Sequence, residues 1–153
     1  LRAAPGYFFQ LQNTVQAAGL GEAVTVLEGQ SHEALTACDV TLIASGTATL
    51  EAALLKRPMV ISYAVHPLSA RIMRSKQLQP WVGLPNILSR EFVVPELLQE
   101  DATPPKLADA VEAWLDDPAR CATVRQRFTD LHHTLRRDTA TLSAHAIQQV
   151  LAG

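Results

Sequence analysis

The sequence has little of three features that would each indicate a particular class of protein. Only two of its 153 residues are cysteine, Cys38 and Cys121, and they form no CxxC pair, so no disulfide framework is indicated. A formal net charge of -2 gives no overall field that would attract nucleic acid. The longest apolar runs, residues 40–44 and 59–64, are far shorter than the roughly 20 residues of a membrane-spanning helix. We therefore expect reduced thiols in a cytosolic protein, with no transmembrane helix and no nucleic-acid partner.

Several cofactor and metal motifs are also missing. The sequence contains no GxGxxG, no GxxxxGK[ST] and no HExxH, and its five histidines form no ligand quartet with cysteine. We expect neither a metal nor a cofactor. The sequence starts at Leu1 rather than methionine and shows no charged leader before an apolar run, which leads us to expect a fragment.

Apolar spacing and turn residues predict strands that alternate with helices. Strands are predicted at residues 24–27, 40–44 and 59–63, and helices at 8–18, 31–38, 48–56 and 67–76, with Ser31 as an N-cap. The strands are continuously apolar, which is typical of a parallel sheet covered by helices on both faces. The predicted fold class is α/β, a doubly wound parallel sheet in one domain.

The second half of the chain is predicted to be mostly helical. Residues 80–95 contain several prolines and are predicted to be loop, without strands. The pairs Thr103-Pro104 and Asp117-Pro118 each combine an N-cap residue with a first-turn proline. Together with the apolar spacing they predict helices at 104–115, 118–136 and 139–151.

The segment most indicative of chemistry lies where a predicted strand ends and a helix begins. It reads Ser45-Gly46-Thr47-Ala48-Thr49-Leu50-Glu51. This position is the carboxyl edge of the sheet, where free helix amides, a glycine and three hydroxyl groups suit phosphate oxygens. Glu51, one turn later, is placed to accept hydrogen bonds from ribose hydroxyls. Good capping residues followed by a favourable charge would give the same pattern, and spacing alone leaves both interpretations open.

Further segments follow in an order and spacing that resemble the lipid-A-disaccharide synthases. They read Lys56-Arg57-Pro58-Met59-Val60, Gly83-Leu84-Pro85-Asn86-Ile87-Leu88, Glu96-Leu97-Leu98-Gln99-Glu100 and Lys106-Leu107. With residues 44–51 the resemblance covers about residues 24–150. It implies the two-domain GT-B fold, of which this chain would be most of the C-terminal, donor-binding domain. The first strand of that domain and the whole acceptor domain would be missing.

The resemblance also implies an activity. The family consists of UDP-sugar-dependent glycosyltransferases that move a diacylglucosamine from its UDP carrier to diacylglucosamine 1-phosphate (lipid X), without a required metal. The products are lipid A disaccharide and UDP, an early step of lipopolysaccharide assembly. The implied partners are the UDP-diacylglucosamine donor and the N-terminal acceptor domain, and a homodimer is compatible with them. The implied location is cytoplasmic, peripheral on the inner face of the bacterial inner membrane.

Carried over onto this sequence, the resemblance implies a donor site without a catalytic residue. The implied UDP-binding residues are Gly29, Gln30, Ser45, Gly46, Thr47, Ala48, Thr49, Glu51 and Asn86. The first two would contact uracil through their backbone, residues 45–48 would hold the diphosphate, and Glu51 would face the ribose. For Asn86, a plain turn role after Pro85 is equally open. The general base would be an acidic residue of the other domain.

One basic segment, which contains Arg71, is a further candidate binding site. Arg71, Arg74 and Lys76 alternate with apolar residues, a pattern that fits an anionic membrane surface or phosphate, or simply a solvated helix face.

The chain could also be the donor half of another UDP-sugar GT-B enzyme or of an epimerase. A non-catalytic, flavodoxin-like interaction module is the alternative from a different class, in which residues 45–51 only cap a helix.

Overall fold

Short parallel strands alternate with helices along the chain. The computed structural model describes residues 1–4, 6–76 and 78–152, without the side chains of Arg2 and of residues 72–76. The strands are β1 (Arg2–Ala3), β2 (Leu27–Glu28), β3 (Thr41–Ala44), β4 (Met59–Tyr63) and β5 (Glu96–Leu98). The helices are α1 (Phe8–Ala17), α2 (Ser31–Ala37), α3 (Thr47–Leu54), α4 (Pro67–Lys76), α5 (Leu84–Ser89), α6 (Pro104–Leu115), α7 (Pro118–Leu135) and α8 (Thr139–Ala152). A 3-10 turn, Gln99–Asp101, follows β5.

Every strand pair in the described residues is parallel. Strands β3, β4 and β5 form one sheet in that order, and β1 pairs with β2 in a second, two-stranded sheet. In the larger sheet Ile61 of β4 lies opposite Ile43 on one side and Glu96 on the other. Parallel strands need crossover connections, and helices supply them here. The predicted α/β class with a parallel sheet is confirmed.

The core is built around β4, the middle strand of the larger sheet. Met59, Val60 and Ile61 are completely buried, as expected for a continuously apolar strand. The largest side chains packed around them are Trp114 of α6 and Phe128 of α7, each 1% exposed. The indole N–H of Trp114 donates a hydrogen bond to the carbonyl of Met59 at 3.0 Å. Helix α6 is thereby fixed to the start of β4.

Two strand predictions are corrected by the structure. Strand β3 is the outer strand of its sheet and is not covered on both faces, since its burial alternates along the strand and Leu42 remains 51% exposed. The strand predicted at residues 24–27 contains only Leu27 of that range and extends to Glu28. Its register is set by pairing with β1, a strand that the sequence did not predict.

The prediction of loop for residues 80–95 misses the helix α5. Strand β5 begins at Glu96, directly after that range. Pro85 stands in the first turn of α5, where a proline removes no hydrogen bond, so it does not prevent the helix. Strand β5 is only three residues long and depends on its pairing with β4, which local sequence does not reveal.

Most predicted helices are present, with small changes at their ends. The three C-terminal helices begin at the predicted residues, and Asp117 caps α7 by accepting the Arg120 N–H at 2.8 Å. The N-cap of α2 is Gln30, in a left-handed conformation, rather than Ser31. None of the helices in the described ranges combines the length and the apolar character needed to cross a membrane.

Helix α3 ends earlier than predicted, at Leu54, through a left-handed residue. Lys56 has φ 61°, its N–H donates to the carbonyl of Ala53, and the N–H of Arg57 donates to that of Ala52. This pair of hydrogen bonds is the Schellman arrangement. The Nζ atom of Lys56 contacts Nδ1 of His132, which joins the end of α3 to α7.

The contact between Lys56 and His132 predicts a pH dependence of stability. Repulsion by the Lys56 ammonium, with further contributions from desolvation, His133 and Arg136, lowers the pKa of His132 from 6.5. The unfolded chain then binds more protons than the folded chain, so stability falls as the pH drops below about 6.5. We expect a His132→Gln variant to lose this part of the pH dependence. Urea unfolding of both proteins at about pH 5.5 and about pH 7.5 measures it; equal pH dependence in both would contradict the prediction.

Candidate functional site

The start of α3 presents free backbone amides at the carboxyl end of β3. The first hydrogen bond within the helix runs from the N–H of Thr49 to the carbonyl of Gly46, at 3.1 Å. The amides of Thr47 and Ala48 lie ahead of that bond, and no side chain caps the helix. Gly46 and Thr47 are exposed, whereas Ser45 and Ala48 are half-buried. Four of the predicted site residues therefore come together at one exposed helix N-terminus, which attracts anions.

Gly46 is required by its backbone conformation rather than by a lack of space. Its φ of 146° and ψ of -168° belong to a region that is nearly restricted to glycine. A Cβ atom built at Gly46 would meet no atom within 4 Å. The open space next to Gly46 leaves room for a ligand to approach the amides of Thr47 and Ala48 closely.

We expect Gly46→Ala to lower the free energy of unfolding by about 1 to 3 kcal/mol, because alanine is strained at this φ. Urea unfolding measures the loss. Thr47→Ala is the matched control, since Thr47 is exposed and ordinary helix geometry follows it; we expect a change within about 0.5 kcal/mol. A Gly46→Ala loss no larger than that of the control would show that the backbone relaxes without cost.

Thr49 has a different role from the one predicted. It is completely buried, and its hydroxyl donates a hydrogen bond of 2.7 Å to the carbonyl of Gly46. A buried hydroxyl that is already engaged cannot donate to a phosphate. The prediction of a direct phosphate contact by Thr49 is therefore corrected, and this residue stabilises the turn at Gly46 from beneath.

Glu51 lies on α3 opposite the first turn of α2. Its Oε2 atom is 4.0 Å from Nε2 of His32; the His32 side chain is exposed, and Glu51 is half-buried. Gly29 and Gln30, with φ of 68° and 52°, form the exposed left-handed turn that leads into α2. The predicted uracil and ribose residues are therefore on adjoining segments. His32 was missed by the sequence analysis, because nothing local relates it to Glu51.

Asn86 is not placed to contact a ligand. It is completely buried, and its Oδ1 atom accepts the N–H groups of Val93 at 2.8 Å and Val94 at 3.0 Å. Its Nδ2 atom donates to the carbonyl of Val94 at 2.9 Å and to Glu96 at 2.8 Å. All its hydrogen-bonding capacity is used within the protein. The predicted donor contact of Asn86 is therefore corrected to a structural role, which the turn interpretation anticipated more closely.

Glu96, which the sequence analysis did not single out, holds the turn before α5. Its carboxylate accepts the N–H of Val82 at 2.9 Å and the N–H of Gly83 at 2.8 Å. The carbonyl of Val82 in turn accepts the hydroxyl of Ser45 at 3.4 Å. The available signal was that Glu96 begins one of the segments that resemble the lipid-A-disaccharide synthases.

The remaining predicted residues lie elsewhere or are not described. Arg71 is exposed on α4, next to exposed Leu68, but the side chains of Arg74 and Lys76 lie outside the described residues. The contact with an anionic membrane surface stays a prediction. In the described part of the chain, metal-ligating side chains do not gather in groups of three or more.

Comparison with known proteins gives a single family. The family model described as lipid-A-disaccharide synthetase matches residues 3–150. A lipid-A-disaccharide synthase of Verminephrobacter eiseniae is 58% identical over 147 residues, covering 94% of this chain and 38% of the relative. That of Albidiferax ferrireducens is 59% identical over 155 residues, covering 99% of this chain and 40% of the relative.

A third relative, from Azoarcus sp., is 58% identical over 127 residues, or 83% of this chain and 32% of the relative. All three carry the same name, and the chain spans at most 40% of the length of each. The motif segments at residues 44–51, 83–88 and 96–100 lie inside the matched range. The chain belongs to the lipid-A-disaccharide synthetase family.

Proposed function

We propose that this chain binds the nucleoside diphosphate of a UDP-sugar, as the donor-binding part of a lipid-A-disaccharide synthase. The observation that carries the proposal is the exposed start of α3, where Gly46 leaves the amides of Thr47 and Ala48 ahead of the first helical hydrogen bond. Backbone amides and the positive end of a helix dipole at this edge of a parallel sheet are well suited to a diphosphate. The exposed hydroxyl of Thr47 adds a donor, whereas the half-buried hydroxyl of Ser45 already donates to the carbonyl of Val82.

The rest of the nucleotide is proposed to extend from α3 toward α2. Glu51 lies one turn beyond the phosphate-binding amides, where its carboxylate can accept hydrogen bonds from the ribose hydroxyls. The contact between Glu51 and His32 shows that the start of α2 is close to this position. The backbone of Gly29 and Gln30, immediately before α2, would then face the uracil.

For the whole protein we propose the reaction that its relatives' names describe. It would join a diacylglucosamine from the UDP carrier to lipid X, and this chain would bind the donor and stabilise the departing UDP. The general base would come from an acceptor domain beyond this chain, so the chain alone would be inactive. The acylated substrates would place the enzyme at the cytoplasmic face of the inner membrane, and a homodimer is compatible with this arrangement.

The proposal is tested by titrating UDP into the chain by calorimetry, with ADP as the competing nucleotide. EDTA is present throughout, so that any binding needs no divalent cation. We expect saturable UDP binding that exceeds ADP binding. Thr47→Val should weaken it by about tenfold or more, the loss expected for a hydrogen bond to a charged group.

The role of Glu51 is tested with 2′-deoxy-UDP. The original chain should prefer UDP, because Glu51 accepts from the 2′-hydroxyl, and Glu51→Ala should abolish that preference. Glu33→Ala is the matched control, since Glu33 is an exposed glutamate in the first turn of α2 and should leave the preference intact. If the Glu51→Ala variant preferred UDP over 2′-deoxy-UDP as strongly as the original chain does, Glu51 would not be part of the ribose site.

The other functions considered from the sequence predict different outcomes. A folded chain with no saturable UDP binding would favour an interaction module in which α3 is merely an uncapped helix. Equal binding of UDP and ADP would contradict a uracil site at Gly29 and Gln30. The donor half of a different UDP-sugar enzyme would bind UDP as well, and only transfer assays with the whole protein separate it from the proposed reaction.

A further inference from the structure

A partly buried hydrogen-bond cluster lies next to the proposed donor site. Its centre is the carboxylate of Glu96, which accepts the N–H groups of Val82 and Gly83 and the side-chain amide of Asn86. Asn86 in turn binds the backbone of residues 93–94, just before β5. The cluster therefore fixes the turn before α5 to the strand β5.

The turn at Val82 and Gly83 is pressed against the sheet. A Cβ atom at Gly83 would lie 2.2 Å from Cδ1 of Ile61 and 3.2 Å from Oε1 of Glu96. Ile61 is a completely buried residue of β4, the strand next to β3. Glycine is needed here because the backbone is held between Ile61 beneath and Glu96 beside it.

The same turn reaches the candidate site on its other side. The carbonyl of Val82 accepts the hydroxyl of Ser45, a long hydrogen bond of 3.4 Å. Ser45 directly precedes Gly46, whose unusual backbone exposes the amides of α3. Hydrogen bonds therefore connect Glu96, through the backbone of Val82, to Ser45. Ser45 is the first residue of the proposed phosphate-binding turn, residues 45–48.

We propose that Glu96 is a positioning residue of the donor site: by holding the Val82–Gly83 turn, it fixes Ser45 and the phosphate-binding turn in the conformation that receives the diphosphate. The inference rests on the proposed function. Glu96 touches no ligand in this arrangement and acts only through the backbone of Val82. A carboxylate is suited to this role, because it accepts from several donors at once and its charge strengthens each bond.

The test compares Glu96→Gln, Ser45→Ala and the double variant. Glutamine has the shape of glutamate, but its NH₂ group would face the N–H of Val82 or Gly83, and the turn would loosen. We expect Glu96→Gln to weaken UDP binding about tenfold in the original chain, and clearly less when Ser45 is already alanine. The matched control is Glu91→Gln. Glu91 is an exposed glutamate on the same segment as Glu96, it pairs with Arg127 of α7, and its replacement should leave UDP binding unchanged.

A second measurement does not require UDP. In the nucleotide-free chain, Glu96→Gln should selectively speed amide hydrogen exchange at Thr49, whose N–H donates to the carbonyl of Gly46, whereas Glu91→Gln should not. Faster exchange throughout the chain, or unchanged exchange at Thr49, would overturn the proposal, as would fully independent effects of Glu96 and Ser45 on UDP binding. If the original chain bound no UDP but exchange rose selectively, the proposed function would fail and the positioning role would remain.

A second variant keeps the inference testable if Glu96→Gln does not fold. Gly83→Ala displaces the same turn by pushing against the end of Ile61, without altering the charge of Glu96. It should weaken UDP binding and speed amide exchange at Thr49 in the same selective way. Unchanged binding and exchange in Gly83→Ala would reject a role for the turn in positioning Ser45.

Discussion

Replacing Asn86 by alanine is expected to lower the free energy of unfolding by about 3 to 5 kcal/mol. Alanine would remove the partner of the buried N–H and carbonyl groups of Val94 and of the partly buried N–H of Val93. Each such group costs about 1 to 3 kcal/mol when it loses its partner away from water. Urea unfolding followed by circular dichroism gives the loss.

The control for Asn86 is on the same short helix. Leu88 is 42% exposed, so Leu88→Ala should cost much less, within about 1 kcal/mol. If Asn86→Ala were as mild as Leu88→Ala, the side chain would not be the link between α5 and the segment before β5. A ligand-binding role for Asn86 would then have to be considered again.

Trp114→Ala should be similarly severe, with an expected loss of about 3 to 5 kcal/mol. The side chain is 1% exposed, donates to the carbonyl of Met59, and carries the Arg120 guanidinium 4.0 Å from its ring centroid. Truncation creates a cavity beside β4 and leaves that carbonyl without its indole partner. We expect a lower urea midpoint, while Leu115→Ala, at a residue that is 55% exposed, should leave it nearly unchanged.

Trp114→Phe separates the two contributions. Phenylalanine retains most of the apolar volume but has no N–H, so we expect a smaller loss of about 1 to 2 kcal/mol. An effect as large as that of alanine would mean that the hydrogen bond to Met59, and not the packing of the ring, holds α6 on the sheet.

Local signals were sufficient for the elements that are defined by their own residues. Helices α6 and α7 were predicted from Thr103-Pro104 and Asp117-Pro118, because a cap followed by a first-turn proline acts within a few residues. Strand β4 was predicted from its apolar run. Strands β1 and β5 were not, since two or three residues become a strand only through a partner that is distant in sequence.

The candidate site shows the same division between local and distant information. The start of α3 could be predicted because Ser45, Gly46 and Thr47 are consecutive. The burial of Asn86 could not, since its partners belong to a segment seven or more residues away whose path depends on β5. The approach of His32 to Glu51 depends on where the start of α2 lies relative to α3, which periodicity does not determine.

The two tryptophans of the chain report on different parts of the molecule. Trp114 is in the core, whereas Trp81 directly precedes the Val82–Gly83 turn, with its ring centroid 6.3 Å from that of Phe92. Indole fluorescence depends on the surroundings of each ring. Trp114 is therefore an intrinsic probe of unfolding, and Trp81 is a probe next to the proposed donor site. With Trp114→Phe, the emission would come from Trp81 alone. The proposed binding of a nucleotide next to Ser45 could then be tested optically, without an attached label.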